Sequence, residues 1–244
     1  MKNIKDFDFT ELHEYLTSNN YHILLAGCTG SGKSVLLEGF LLTTLAKNTR
    51  DDIDIIICDP KIVGFQKFKK CKQIIDVATN LKSINAWLDY AITTMNKRYK
   101  YMSKHGMEKW TGRELLIILD EFADLVTGNK EITAKIVKLL RLGRAAKVRL
   151  VMATQAPSRH VISADIQLNC AIRIGLRCTN AIESKQIINA KGCEELPRYG
   201  SCLVTSPDSL NPYYPDEQTP VPFDVHLFSS SEQKQIIEYC KHNH

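Results

Sequence analysis

The sequence predicts an α/β fold, with a mostly parallel central sheet flanked by helices. Three observations carry this. Apolar runs such as DIIICD, LLIILDE and VRLVMATQ are continuous rather than alternating, as in strands buried on both faces. Segments with helical periodicity lie between them, the alternation of a parallel sheet with crossover helices. Polar residues then follow the apolar runs, at Thr29–Ser34, Asp59, Asp120, Glu121 and Gln155. In such sheets ligands bind at the carboxyl ends of the strands.

In chain order, strands are predicted at Tyr21–Gly27, Asp54–Asp59, Gln73–Ala78, Leu115–Glu121, Val148–Gln155, Ala171–Arg177 and Ser201–Thr205. Ser34–Ala46 is apolar nearly all round, which predicts a buried helix. Ser83–Met102 carries Ile84, Trp87, Leu88, Ala91, Ile92, Met95, Tyr99 and Met102 as one helical stripe. Ile132–Leu142 places Ile132, Ile136, Leu139 and Leu140 on one face. The Pro-rich stretch Ser206–Pro222 reads as a loop or arm. SSSEQKQIIEYCKH reads as a short helix opened by a serine cap with Glu or Gln soon after. The expected division is an N-terminal extension at 1–20, a main domain at 21–206, and a C-terminal loop and helix at 207–244.

The 244 residues are 44% hydrophobic and 24% charged, enough for one large globular core. No apolar run approaches the roughly 20 residues that span a bilayer. The start, MKNIKDFDFTELHEYL, places acidic residues where a signal peptide has its apolar core. A cytoplasmic location is expected. The eight cysteines form no CxxC pair and have no histidine cluster beside them, so reduced structural thiols are expected rather than a zinc site. The net charge of +5 is compatible with a polyanionic partner but does not require one.

GCTGSGKS at 27–34 fits G-x-x-x-x-G-K-[ST] between an apolar strand and an apolar helix. Glycines let successive N–H groups turn toward phosphate oxygens, and the helix adds its positive N-terminus. Gly27, Cys28, Thr29, Gly30, Ser31, Gly32, Lys33, Ser34 and Val35 form the candidate nucleotide site. Lys33 is expected to reach the β- and γ-phosphates of ATP, and Ser34 to ligate Mg²⁺. A purely structural glycine turn leaves Lys33 unexplained. LLIILDE ends in the second half of the site. Asp120 is expected to anchor Mg²⁺, and Glu121 to act as the general base on water. The alternative is a pair of solvated charges at a strand end. Gln155, at the tip of VRLVMATQ, is expected to sense the γ-phosphate or position water. The alternative is a simple strand-end amide.

HILLAGCTGSGKS, CDPK, MNKRYKYM, LLIILDEFADLV, RLGRAAKVRLVMATQAPS and CAIRIGLRC occur in the order seen in FtsK/SpoIIIE-type DNA translocases. The chain resembles that family over about residues 20 to 205. The resemblance implies a RecA-like P-loop ATPase motor working as a homo-hexameric ring around double-stranded DNA. It implies the roles given above for Lys33, Ser34, Asp120, Glu121 and Gln155. It makes Arg144 a candidate arginine finger on a neighbour's γ-phosphate, or a brace of its own site. Arg173 is a second candidate of that kind. Asp59 and Lys61 are expected to help organise the site, and Arg98 and Tyr99 to serve packing or ring contacts. No counterpart of the membrane domain, linker or winged-helix module of such translocases is expected. A compact motor is therefore expected, serving plasmid, integrative-element or phage DNA transfer, replication or packaging. A relaxase, nuclease or membrane protein is a possible partner. An ATPase that drives protein secretion, or one activated by a partner, is the alternative.

A ring motor grips phosphates with loop residues. Lys130, in Gly128–Lys130, and Arg159 and His160, after ATQAP, are the candidate DNA contacts. Lys67, Lys69, Lys70 and Lys72, with Phe65 and Phe68 interleaved, read as a backbone-tracking run or, more simply, as a solvated basic face. Lys97, Lys100 and Lys104 read as the polar side of a helix.

Overall fold

The computed structural model describes residues 11–18, 20–62, 64–207 and 220–242. In chain order these form α1 (Glu11–Ser18), β1 (Ile23–Ala26), α2 (Lys33–Lys47), β2 (Ile53–Cys58) and β3 (Ile74–Ala78). They continue with α3 (Leu81–His105), β4 (Glu114–Leu119), α4 (Phe122–Val126), α5 (Lys130–Leu142), β5 (Val148–Thr154) and α6 (Ala164–Asn169). The rest are β6 (Ile172–Gly175), α7 (Ala181–Ile188), β7 (Ser201–Thr205), β8 (Val221–Asp224) and α8 (Ser230–His242).

The strands form one sheet in the order β3-β2-β4-β5-β1-β6-β7-β8. β1 to β6 pair in parallel, and β7 and β8 add antiparallel pairs at one edge. Side chains alternate across the strands, so each continuous apolar run feeds two cores. Leu25, Ile57, Ile118 and Ala153 face a core completed by α2, α1 and α8. Leu24, Ile56, Ile117 and Met152 face a second core completed by α3, α4 and α5. The all-round apolarity of α2 is explained by its position. It meets the sheet, Leu12 and Leu16 of α1, and Ile236, Ile237 and Cys240 of α8.

Local chemistry sets the helix ends. The side chains of Asn80, Asn129 and Asn180 accept N–H bonds at the starts of α3, α5 and α7. Ser229 and Glu232 form a reciprocal capping box before α8, as the serine and acidic pattern predicts. Arg149 is buried in β5. Its Nε donates to Glu114 at 2.6 Å and its Nη1 to the Leu16 carbonyl at 3.0 Å. The arginine thus ties α1, which lies in the expected N-terminal extension, to the sheet.

The expected loop Ser206–Pro222 ends earlier than read. Residues 208–219 of it lie outside the described residues, but Val221–Asp224 is strand β8, paired with β7. Pro222 is tolerated there because β8 is an edge strand. Phe65 and Phe68 are buried in the core, so neither is free to stack on a base. Lys67 beside them bonds Glu38 and Gln233, and Lys72 bonds the His242 carbonyl. Arg98 donates to the carbonyls of Ala146 and Lys147, and the Tyr99 hydroxyl to that of Leu142. Both serve packing of α3. All eight cysteines are free thiols, and Cys28 alone is not buried.

Candidate nucleotide site

The strand order places three carboxyl ends side by side. β1 leads into residues 27–34, β5 ends at Gln155, and β4, on the far side of β5, ends at Asp120 and Glu121. The phosphate loop and the acidic pair therefore face one another across a single strand.

The loop's geometry follows from its glycines. Gly30 and Gly32 hold φ of 77° and 97°, a region side chains disfavour. Gly32 opens α2, so the free N–H groups of the first turn face the loop. Gly27 is required for a different reason. A Cβ there would stand 2.6 Å from Leu176 Cβ and 2.7 Å from Ser31 Oγ. Gly27→Ala is therefore expected to cost about 1–3 kcal/mol of stability through overpacking and to displace the loop. Thermal denaturation and titration with a fluorescent ATP analogue check this; an unchanged melting point with unchanged affinity would refute it.

Lys33 is only 4% exposed and donates to Asp120 Oδ1 at 2.6 Å. The two expected ligands of phosphate and metal thus stand in contact. Ser34 is exposed beside Lys33. One hydroxyl and one carboxylate form a small, hard oxygen set. That suits Mg²⁺, which keeps waters and takes phosphate oxygens as further ligands. Among the described residues no group of three or more His, Cys, Asp or Glu is arranged to hold a metal alone.

Glu121 is 3% exposed and holds φ 53° and ψ 55°. A left-handed glutamate costs on the order of 1 kcal/mol, and such strain persists where surrounding contacts enforce it. Here its Oε1 accepts from Thr154 Oγ1 at 2.8 Å and from the Gln155 N–H at 2.9 Å. Its Oε2 accepts from Lys61 Nζ at 3.2 Å. Burial pushes the carboxyl pKa up. The Gln155 and Thr154 hydrogen bonds, the nearby Lys33 charge and Lys61 together outweigh burial, and the net shift is downward. Glu121 is held ionised.

Asp59 shapes the loop that supplies Lys61. It is buried, and its carboxylate accepts the N–H groups of Lys61, Ile62 and Gly64. Gln155 Oε1 accepts from Thr29 Oγ1 at 2.9 Å, linking the β5 tip to the phosphate loop. The Cys28 N–H donates to the Arg177 carbonyl at 2.8 Å. Thr154 and Arg177 were not singled out in the sequence. Thr154 sits inside the ATQ motif, where a hydroxyl next to the expected sensor was the available signal. Arg177 carries none.

Arg144 does not meet this site. It lies just before β5, at the opposite edge of the sheet from Gln155, and β5 itself is roughly 20 Å long. Its guanidinium rests 4.0 Å from the centre of the Tyr21 ring. The expected brace within one chain is thereby excluded, because the sheet separates the two edges. Arg173 is also turned away. It pairs with Leu24, three residues before Gly27, and lines a 540 Å³ cleft with Gln167, Asn189 and Thr205. Lys130 opens α5, and Arg159 and His160 follow β5. All three are exposed on the phosphate-loop side of the sheet.

A phosphate loop closing β1, an acidic pair one strand away and a polar strand tip between them define a P-loop nucleotide site in a RecA-like fold. Residues 6–114 match the model of the FtsK/SpoIIIE family. The DNA translocase FtsK of Helicobacter pylori (strain J99) is 33% identical over 201 residues, 76% of this chain and 24% of that protein. The conjugation coupling protein TcpA of pCW3, solved as a monomer with ATPγS, aligns over 90% of this chain and 65% of its own at 23% identity, with a TM-score of 0.75. The type VII secretion ATPase EccC of Thermomonospora curvata aligns over 91% of this chain and 28% of its own at 22% identity, with a TM-score of 0.72. The two structural likenesses concern the fold. The chain is thus similar to the FtsK/SpoIIIE family over residues 6–114, and it spans 24% to 30% of the length of the first curated relatives it matches.

Proposed function

We propose that this chain is an ATP-dependent motor on double-stranded DNA, hydrolysing ATP to ADP and phosphate in a ring of identical subunits, with six as the expected number. The observation that carries the reading is Glu121, an ionised carboxylate held next to the Lys33–Asp120 pair in a chain similar to the FtsK/SpoIIIE family. Lys33 and the loop N–H groups bind the phosphates. Ser34 and Asp120 would hold Mg²⁺, which would supply charge neutralisation at the phosphates. Glu121 takes the proton of the attacking water, and Gln155 carries the state of the phosphate loop to the β5 tip. Arg144, at the far edge of its own sheet, acts on the site of a neighbouring subunit. Lys130, Arg159 and His160 supply the loop contacts to DNA phosphates.

The chain's place is in the cytoplasm, in DNA transfer, replication or packaging for a mobile element, with a relaxase, nuclease or membrane protein as partner. No described helix is long and apolar enough to cross a membrane.

The test is phosphate release from ATP without nucleic acid, with single-stranded DNA and with long duplex DNA. Duplex is expected to raise the rate about tenfold or more, with the effect falling steeply as salt rises. A rate indifferent to duplex would overturn the DNA reading and favour an ATPase directed to protein cargo.

A further inference from the structure

The loop between α7 and β7 is fastened to the phosphate loop by a short chain of contacts. The Cys28 N–H donates to the Arg177 carbonyl at 2.8 Å. The Arg177 guanidinium donates in turn to the Leu196 carbonyl. Two residues on, Arg198 leans over the phosphate loop itself. A Cβ built on Gly30 would stand 3.6 Å from Arg198 Nη2 and 4.0 Å from its Nε. The side chain is exposed, and its guanidinium carbon lies 5.4 Å from the centre of the Tyr199 ring. Among the described residues no carboxylate pairs with it.

We propose that Arg198 is a second phosphate-binding cation of this site, supplied by the same chain, and that it reads the charge of the bound triphosphate. The inference rests on the ATPase reading above. A guanidinium presents five N–H donors in a planar fork that matches phosphate oxygens. Lys33 differs in being buried and pinned by Asp120, so it marks a fixed point of the site. Arg198 sits on a surface loop and can follow the phosphate tail. Its attraction grows with the charge of that tail, so it favours ATP over ADP. The loop then continues through Gly200, at φ 86°, into β7, which pairs with β6 next to the nucleotide strand. The γ-phosphate is thereby coupled to the antiparallel edge of the sheet.

The experiment titrates ATPγS and ADP into the full chain and its R198A, R198K and K33A variants, with the melting temperature of each as a control. R198A is expected to weaken ATPγS about tenfold to a hundredfold, the size of a lost charged hydrogen-bond pair, and to weaken ADP less. R198K should recover part of the ATPγS preference, with the melting temperature unchanged. Affinities of R198A within twofold of wild type, or equal losses for both nucleotides, would overturn the proposal. Loss of binding in K33A with R198A unaffected removes this inference and leaves the ATPase reading standing. Wild-type protein that binds neither nucleotide removes both.

Discussion

Lys33→Ala is expected to abolish nucleotide-dependent activity while leaving the chain folded. The ammonium is nearly buried and already makes a 2.6 Å contact with Asp120, so its position is set before any phosphate arrives. In the proposed mechanism it holds both the β- and γ-phosphates. Two charged hydrogen bonds at about 1.5–3 kcal/mol each give about 3–6 kcal/mol, or roughly 10²–10⁴-fold in affinity. The folding cost is smaller, because Asp120 keeps some solvent contact once its partner is gone. Calorimetric ATP binding and a thermal melt on the same samples check both parts. Wild-type affinity in the variant would remove the phosphate role from Lys33; a collapsed melt would show that the pair is needed for folding.

Glu121→Gln is expected to separate binding from chemistry. The amide keeps an oxygen for the Thr154 hydroxyl and the Gln155 N–H, so the strained turn stays supported. Half-exposed Lys61 swings away from the new amide nitrogen. The base is lost, which should lower the hydrolysis rate about 10²–10⁴-fold with ATP affinity changed only a few-fold. A single-turnover assay reads this directly, and a rate within about threefold of wild type would mean that another group activates the water.

The pH behaviour follows from the same residue. The folded-state pKa of Glu121 lies below its ordinary value of 4.5. The stability it contributes is fully present above that ordinary value and is lost as pH falls through the depressed folded pKa. The base is therefore charged at neutral and mildly acidic pH. An acid limb in the hydrolysis rate centred above that ordinary value therefore comes from another group, and direct titration of the Glu121 carboxyl above 4.5 would contradict the hydrogen-bond pattern described above.

The phosphate loop, the acidic pair and the strand-tip glutamine were legible because each lies within a few residues of an apolar run. The sheet's buried centre was legible for the same reason: DIIICD, LLIILDE and VRLVMATQ leave no polar face. The small helices α1, α6 and α7 were not read. Segments of six to eight residues have too little local preference to form alone, and Leu12, Leu16, Ile166 and Ile187 settle them by burial. β8 was hidden in a proline-rich stretch because its strand character comes from pairing with β7, not from its own residues.

What the sequence alone determined is which residues stand at the strand ends and which strands carry them, since both depend on residues adjacent in the chain. What only the tertiary structure decided is who faces whom. The order β4-β5-β1 inserts one strand between the acidic pair and the phosphate loop, and so brings Thr154 and Gln155 onto Glu121 and Thr29. The fold also leaves Arg144 at the amino end of β5, against Tyr21, and leads the α7–β7 loop back so that Arg198 reaches Gly30. The physical reason is that strand order is chosen by burying both faces of the whole sheet at once. That is a sum over contacts far apart in sequence, which no local motif encodes.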